Sequence, residues 1–267
     1  MTQPAWRTLG ATGTHTDMVY AENPRSNMRE YFAHEPRRVL DVGCARGDVG
    51  FGLKQHYGEH VFVWGVELNQ QSAEVSATRL DKVSTVPLEK LSDEDVALLK
   101  TMDTVLLFDV LEHMYDPWAA LVFLSQHLSA DAQIIVSLPN AMNINIMRDL
   151  VKGYWHYHVS GLLDVTHIRF FTPFEMKKMF YETGFRSEFE TCSLWGGTEQ
   201  SLAAKEGPFP LWLDLDGLKV EVNDYNHWVY LHTVQIFARY RVASDDTLRP
   251  DEMALRHEPH PPTHIIP

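Results

Sequence analysis

The chain is 267 residues long, which fits one domain with insertions or one domain plus a small appendage. Hydrophobic residues at 45% and charged residues at 22% are ordinary globular composition and exclude wholesale disorder. The 36 acidic and 23 basic side chains leave a net charge of -13, which argues against duplex DNA or an anionic membrane as partner, because phosphate contacts need clustered Lys and Arg.

No apolar run reaches the length of a membrane span, and residues 1–10 lack the basic and apolar regions of a secretory signal. Cys44 and Cys192 are too few for a disulfide framework or a Cys-based zinc site. The expectation is a cytoplasmic protein.

In chain order, residues 1–20 read as a polar arm or lid and residues 27–33 as a short helix. Residues 38–42 form an apolar run that ends abruptly in glycines, the mark of a buried strand. Val49, Leu53 and His56 give helical spacing over 49–57, and HVFVWGVE (60–67) is a second strand. A helix is expected over 69–80, and a weaker third strand over 83–86. Ser92 is a good N-cap for a helix through Lys100, with three acids in its first turn. TVLLFD (104–109) is a fourth strand. Asp116-Pro117 opens a helix through Leu128, and QIIVSL (133–138) is a fifth strand. Thr172-Pro173 starts a helix through Thr183, stopped by Gly184, and 185–193 is a sixth strand. Residues 227–242 alternate well enough for a long last strand. Residues 140–172 and 196–224 break the rhythm and read as irregular insertions, and the Pro- and His-rich end as a disordered tail. Strands alternating with helices predict a parallel sheet covered on both faces.

The most informative stretch is VLDVGCARGD (39–48), where a strand runs through glycines into a helix. Such a turn lets backbone approach a nucleoside closely and aims helix N–H groups at it. Asp41 inside this loop is not needed by a dinucleotide fingerprint, and the middle small residue is Ala45 rather than glycine. Glu67 ends the next strand about twenty residues on, where an acid accepts hydrogen bonds from ribose hydroxyls. Its competing role is to cap the helix that starts near Asn69. LFDVLEH (107–113), at the end of strand four, carries three polar side chains that packing does not require.

The stretches RVLDVGCARGDVG, VWGVELN, DTVLLFDVLEHMYDP and IIVSLPNAMN follow one another over residues 38–143. In this they resemble class I methyltransferases dependent on S-adenosylmethionine. GLLDVTHIRFFTP (161–173) resembles a narrower bacterial branch of small-molecule and sugar-modifying methyltransferases. The resemblance implies that Asp41, Gly43 and Gly47 hold the methionine part of the cofactor and Glu67 its ribose. Ala45 and Leu68 join that set, and Asp109 and Val110 border the sulfonium. The acid that often flanks adenine aligns with Pro87, so Leu88 or its neighbour Glu89 takes its place. The Ala45 methyl is accommodated if φ there stays below zero.

Methyl transfer from a sulfonium is an in-line displacement that asks the protein to align a nucleophile and exclude water. A hydroxyl nucleophile also needs a base, and His113 and His167 are the catalytic candidates. Their structural alternatives are a cap on the loop into Asp116 for His113, and for His167 a brace in which Asp164 orients the ring and Arg169 pairs an acid. Arg169 is otherwise a clamp for a substrate carboxylate. Asn140, Trp155 and Tyr157 in the first insertion, with Tyr20 and Arg25 in the arm, are candidate substrate contacts. His156, His158 and His167 lack the clustered carboxylates expected of a metal-activated enzyme, so no metal is expected.

The expected fold is a Rossmann-like three-layer α/β sandwich whose seven-stranded, mostly parallel sheet ends on an antiparallel strand. An arm over 1–37, a methyltransferase domain over 38–243 with a cap from both insertions, and a tail over 244–267 complete it. The expected function is methyl transfer from S-adenosylmethionine to an oxygen of a small molecule such as a natural product or sugar. The alternatives are an N- or carboxylate-methyltransferase of the same fold, and a non-catalytic nucleoside-binding partner subunit. Aromatic residues in 196–224 are candidates for a homodimer contact.

Overall fold

The computed structural model describes residues 25–243. Tyr20, most of the arm predicted over 1–37 and the tail predicted over 244–267 lie outside these residues.

A 3-10 turn over Ser26–Tyr31 precedes β1 (Arg38–Val42), α1 (Asp48–Tyr57), β2 (Phe62–Val66), α2 (Gln70–Ser76) and β3 (Lys82–Ser84). Then come α3 (Asp93–Leu99), β4 (Thr104–Phe108), α4 (Pro117–His127), β5 (Gln133–Pro139) and α5 (Ile144–Val151). The chain continues through α6 (Pro173–Glu182), β6 (Phe185–Leu194), α7 (Glu199–Ala203), the hairpin β7 (Leu211–Asp214) and β8 (Lys219–Val222), α8 (Tyr225–His232) and β9 (Thr233–Val242). Seven strands form one sheet in the order β3-β2-β1-β4-β5-β9-β6. β9 pairs antiparallel with both β5 and β6, while β1 to β5 pair in parallel, so the expected sheet is the observed one.

Strand periodicity divides the core between the two faces. Leu40, Trp64, Val105, Leu107, Ile134 and Val136 pack on one side with Leu121 and Leu124 of α4 and Met176, Met179 and Phe180 of α6. Val39, Val63, Leu106, Phe108, Ile135 and Phe237 pack on the other with Leu53 of α1 and Met28 of the first turn. These are the three layers. Ser92, Asp116 and Thr172 cap α3, α4 and α6 through their side-chain oxygens, where the sequence placed the helix starts.

Three expectations change. The long strand over 227–242 is α8 followed by β9. Asp224 accepts the His227 N–H at 2.8 Å as N-cap, and Trp228, Leu231 and His232 lie on one buried helical face, which outweighs the apparent alternation. The helix expected over 69–80 stops at Ser76. The insertions are not irregular: α5 lies in the first, and α7 and the β7–β8 hairpin lie in the second. They share a separate core in which Ile144 packs with Leu213, Leu215, Val222, Trp228 and Leu231.

Candidate active site

The C-terminal ends of β2, β1 and β4, adjacent in the sheet, carry Glu67, Asp41 and Asp109. The turn after β1 takes left-handed backbone at Gly43 (φ 70°), Ala45 (φ 47°) and Gly47 (φ 77°). Gly43 donates its N–H to Val66 O at 2.8 Å, and a Cβ on Gly43 would lie 2.6 Å from Val110 Cγ2. Only glycine therefore lets the β1 and β4 turns meet. Ala45 corrects an expectation, since its φ is positive, a conformation that costs an L-residue about 1–2 kcal/mol. It is held there by its N–H, which donates to Glu67 Oε2 at 2.9 Å. Glu67 Oε1 accepts the N–H of Asn69 at 2.7 Å, while the cap of α2 is Asn69 itself, accepting from Ser72 N. Each Glu67 oxygen keeps a lone pair for a further donor.

Asp41 is buried, and its Oδ2 has no hydrogen-bond partner among the described residues. Burial pushes its carboxyl up to about 7, the nearby Arg25 guanidinium opposes that rise, and Glu67 adds to it. Asp109 (φ 50°) accepts from Ser137 Oγ at 2.8 Å, from Gln235 Nε2 and from Arg25 Nη2. Arg25 lies over the Phe108 ring at 5.3 Å. The arginine proposed for the substrate thus pairs with an acid proposed for the cofactor. Ser137 and Gln235 were not singled out in the sequence, since an isolated polar residue in a strand carries no motif. Leu68, beside Glu67, is 62% exposed, whereas Leu88 is buried in the sheet-helix core.

A second cluster follows β4. The 3-10 turn Leu111–His113 turns Glu112 inward and leaves His113 exposed. Glu112 is 1% exposed, and neither carboxylate oxygen has a hydrogen-bond partner among the described residues. Ile168 and Arg169 donate their backbone N–H groups to the Glu112 carbonyl at 3.0 and 3.1 Å, which lays the 161–171 segment on this turn. His167 is thereby brought in, with Nε2 4.0 Å from Glu112 Oε1 and its ring edge-on to His113, centroids 4.8 Å apart. Burial raises the Glu112 carboxyl well above its ordinary range, and the charges of Asp109 and Asp164 add to this. Burial and His167 lower His113. Sequence reasoning gave Glu112 no role, although an acid in a buried turn was the available signal.

The bracing differs from the expected one. His113 Nδ1 meets the Thr166 carbonyl at 3.2 Å and hydroxyl at 3.1 Å, while Asp116 caps α4 by accepting from Ala119 N. Asp164 Oδ1 accepts from Thr166 N and Oγ1, and His167 Nδ1 meets the Leu162 carbonyl at 3.0 Å. Arg169 bonds the Tyr115 carbonyl rather than an acid. Trp155 packs edge-on against Phe170 at 5.3 Å, and Tyr157 is half-exposed. Asn140 is wholly buried, donating to Tyr230 O and Thr233 O at 2.8 and 2.9 Å and accepting from Met142 N. Its side chain ties β5 to β9 and is closed to a ligand.

The sequence model of the methyltransferase domain family matches residues 20–188. The chain belongs to that family. No curated protein matches it at the sequence level. Solved structures share the fold. StiE O-MT, residues 961–1257, is 16% identical, with 87% of this chain and 76% of that one covered and a TM-score of 0.51. A methyltransferase dependent on S-adenosylmethionine from Thermotoga maritima is 17% identical over 82% and 88% of the two chains, TM-score 0.51. One from Clostridium acetobutylicum is 11% identical over 78% and 84%, TM-score 0.50.

Two of these structures are described as methyltransferases dependent on S-adenosylmethionine, which makes that cofactor the one to test against the residues of this chain. The residues present fit it. Three carboxylates at neighbouring strand ends suit a ligand bearing a sulfonium and an ammonium, and the buried, partnerless Asp41 Oδ2 requires a donor. Among the described residues no helix is long and apolar enough to cross a membrane.

Proposed function

We propose that the chain methylates an oxygen of a small molecule, such as a natural product, a sugar or a related metabolite. The observation that carries this reading is the polar cluster of Glu112, His113 and His167, which starts three residues after Asp109 and makes no contribution to packing that apolar residues would not make better. When bound, S-adenosylmethionine supplies a methyl group already activated on a sulfonium. In the reading proposed here, Asp41 and the 43–47 turn hold the methionine end, Glu67 accepts from the ribose hydroxyls, and Asp109 and Val110 border the sulfonium. His113 and His167 then handle the acceptor hydroxyl and its proton, with Trp155 and Tyr157 walling the acceptor.

The catalytic unit on this reading is 38–243, with the shared core of 140–172 and 196–224 as its cap. The strongly acidic composition supports a small-molecule acceptor over nucleic acid. The test is a panel of hydroxylated, amine and carboxylate acceptors incubated with S-adenosylmethionine and read by mass spectrometry. Methyl ethers from hydroxylated acceptors are expected. Methylation of amines or carboxylates alone would overturn the oxygen assignment.

A further inference from the structure

We propose that Glu112, His113 and His167 form a binding site for one divalent transition-metal cation of the zinc class. One ligand atom from each residue lies within 4.8 Å of the others. A shared ion needs ligand atoms about 3.4 Å apart for bonds of about 2.1 Å, so closure on an arriving ion takes side-chain movements of about an ångström.

Hydrogen-bond accounting identifies what the cluster lacks. A carbonyl only accepts, so His167 Nδ1, at 3.0 Å from Leu162 O, carries the proton. Thr166 Oγ1 gives its own proton to Asp164 Oδ1, so both Thr166 oxygens near His113 Nδ1 are acceptors and this nitrogen also carries its proton. In the neutral rings Nε2 is then left with a lone pair on each histidine. His167 Nε2 sits 4.0 Å from Glu112 Oε1, too far for a hydrogen bond. His167 Nε2 thus brings a lone-pair nitrogen towards a buried carboxylate whose two oxygens have no partner among the described residues, and a ring nitrogen of the exposed His113 lies within 4.8 Å of both. A proton on Glu112 would satisfy one oxygen at most. A dication satisfies the carboxylate and both nitrogens together.

The surroundings match a ligand site. Metal-binding histidines characteristically donate their second N–H to a carbonyl or carboxylate relay, as His167 does to Leu162 and His113 does to Thr166 and, through it, Asp164. Two imidazoles and one carboxylate favour zinc, iron or manganese over magnesium or calcium, and leave coordination positions open. His113 is exposed, which gives an ion a route in. This inference rests on the proposed function in one respect: with both Nε2 atoms on an ion, the histidines would act on the acceptor hydroxyl through that ion, whose open positions would take the hydroxyl and lower its pKa, the proton leaving to solvent.

The test is a calorimetric titration of the full chain, stripped with a chelator, with Zn2+ and with Mg2+ as comparison. Cofactor and acceptor are omitted, so a failed acceptor assignment leaves this readout untouched. One Zn2+ per chain is expected, bound at least a hundredfold more tightly than Mg2+. The same site should persist when the tail histidines are removed (His257→Ala, His260→Ala, His264→Ala). Glu112→Gln keeps the size of the side chain and removes a buried charge, so it should fold at least as well as the parent and bind Zn2+ at least a hundredfold more weakly. His167→Ala should weaken it similarly. Undiminished Zn2+ binding in folded Glu112→Gln, or loss of binding with the tail histidines alone, would overturn the site. So would the absence of any Zn2+ binding by the parent.

Discussion

Glu67 accepts the backbone N–H of Ala45 at 2.9 Å through one oxygen and that of Asn69 at 2.7 Å through the other, so one side chain joins the turns after β1 and β2. Replacing it acts on both turns and on any bound ribose. Glu67→Ala should lower stability by about 1–3 kcal/mol through the unpaired N–H groups. Glu67→Gln keeps an acceptor for one of them and separates the roles: S-adenosylhomocysteine should bind about ten- to a hundredfold more weakly by calorimetry, with a smaller fall in stability. Unchanged affinity in Glu67→Gln would remove this side chain from the cofactor site.

Ala45 holds left-handed backbone against its own preference. Ala45→Gly should relieve this and stabilise the chain by about 0.5–1 kcal/mol, after the entropy glycine adds to the unfolded state. Urea unfolding measures it. A loss of stability would show that the Ala45 methyl packs favourably enough to outweigh its backbone.

Asp41 predicts a pH dependence. Its folded carboxyl is raised from 3.8 to about 7, so between these values the folded chain binds more protons than the unfolded one. The contribution is therefore fully present below about pH 4 and lost as pH rises through 7. Asp41→Asn should match the parent near pH 4 and exceed it in stability at pH 8, by at most on the order of 4 kcal/mol. If the ligand ammonium draws on the ionised form, S-adenosylhomocysteine affinity of the parent should rise with pH through this range and stay flat in Asp41→Asn. A parallel pH profile for both proteins would contradict the assignment.

Asn140 was read as a substrate contact, and its buried position makes it a structural tie. Asn140→Ala should cost about 1–3 kcal/mol, because it leaves the Tyr230 carbonyl and the Met142 N–H without this partner, while the Thr233 carbonyl keeps the Asn143 amide. Thermal unfolding of the variant checks this, and a loss below 0.5 kcal/mol, the ordinary range for surface changes, would contradict it.

The sheet was legible because β1, β2, β4 and β5 are apolar runs closed by glycine, proline or an acid, and the caps of α3, α4 and α6 are side chains with one local partner. The acids Asp41, Glu67 and Asp109 were legible for a related reason, since strand ends repeat a pattern. What escaped depends on contacts between distant segments. α8 reads as strand until Trp228, Leu231 and Val222 are seen sharing one core with Ile144. Glu112 and His167 are 55 residues apart, and bonds between distant segments, from Ile168 and Arg169 N–H to the Glu112 carbonyl and from His113 to Thr166, bring them together. Leu88 and Asn140 sit at positions a motif marks, yet their side chains serve the interior.

The central claim is that the acids at the ends of β2, β1 and β4 hold S-adenosylmethionine. A thermal unfolding scan with S-adenosylhomocysteine, with NAD as comparison, tests it most directly. At about a hundred times its dissociation constant a ligand of the folded state adds roughly 2.7 kcal/mol. The account predicts a rise in Tm with S-adenosylhomocysteine, reduced in Glu67→Gln, and none with NAD. No rise with S-adenosylhomocysteine, or an equal rise with NAD, would contradict it.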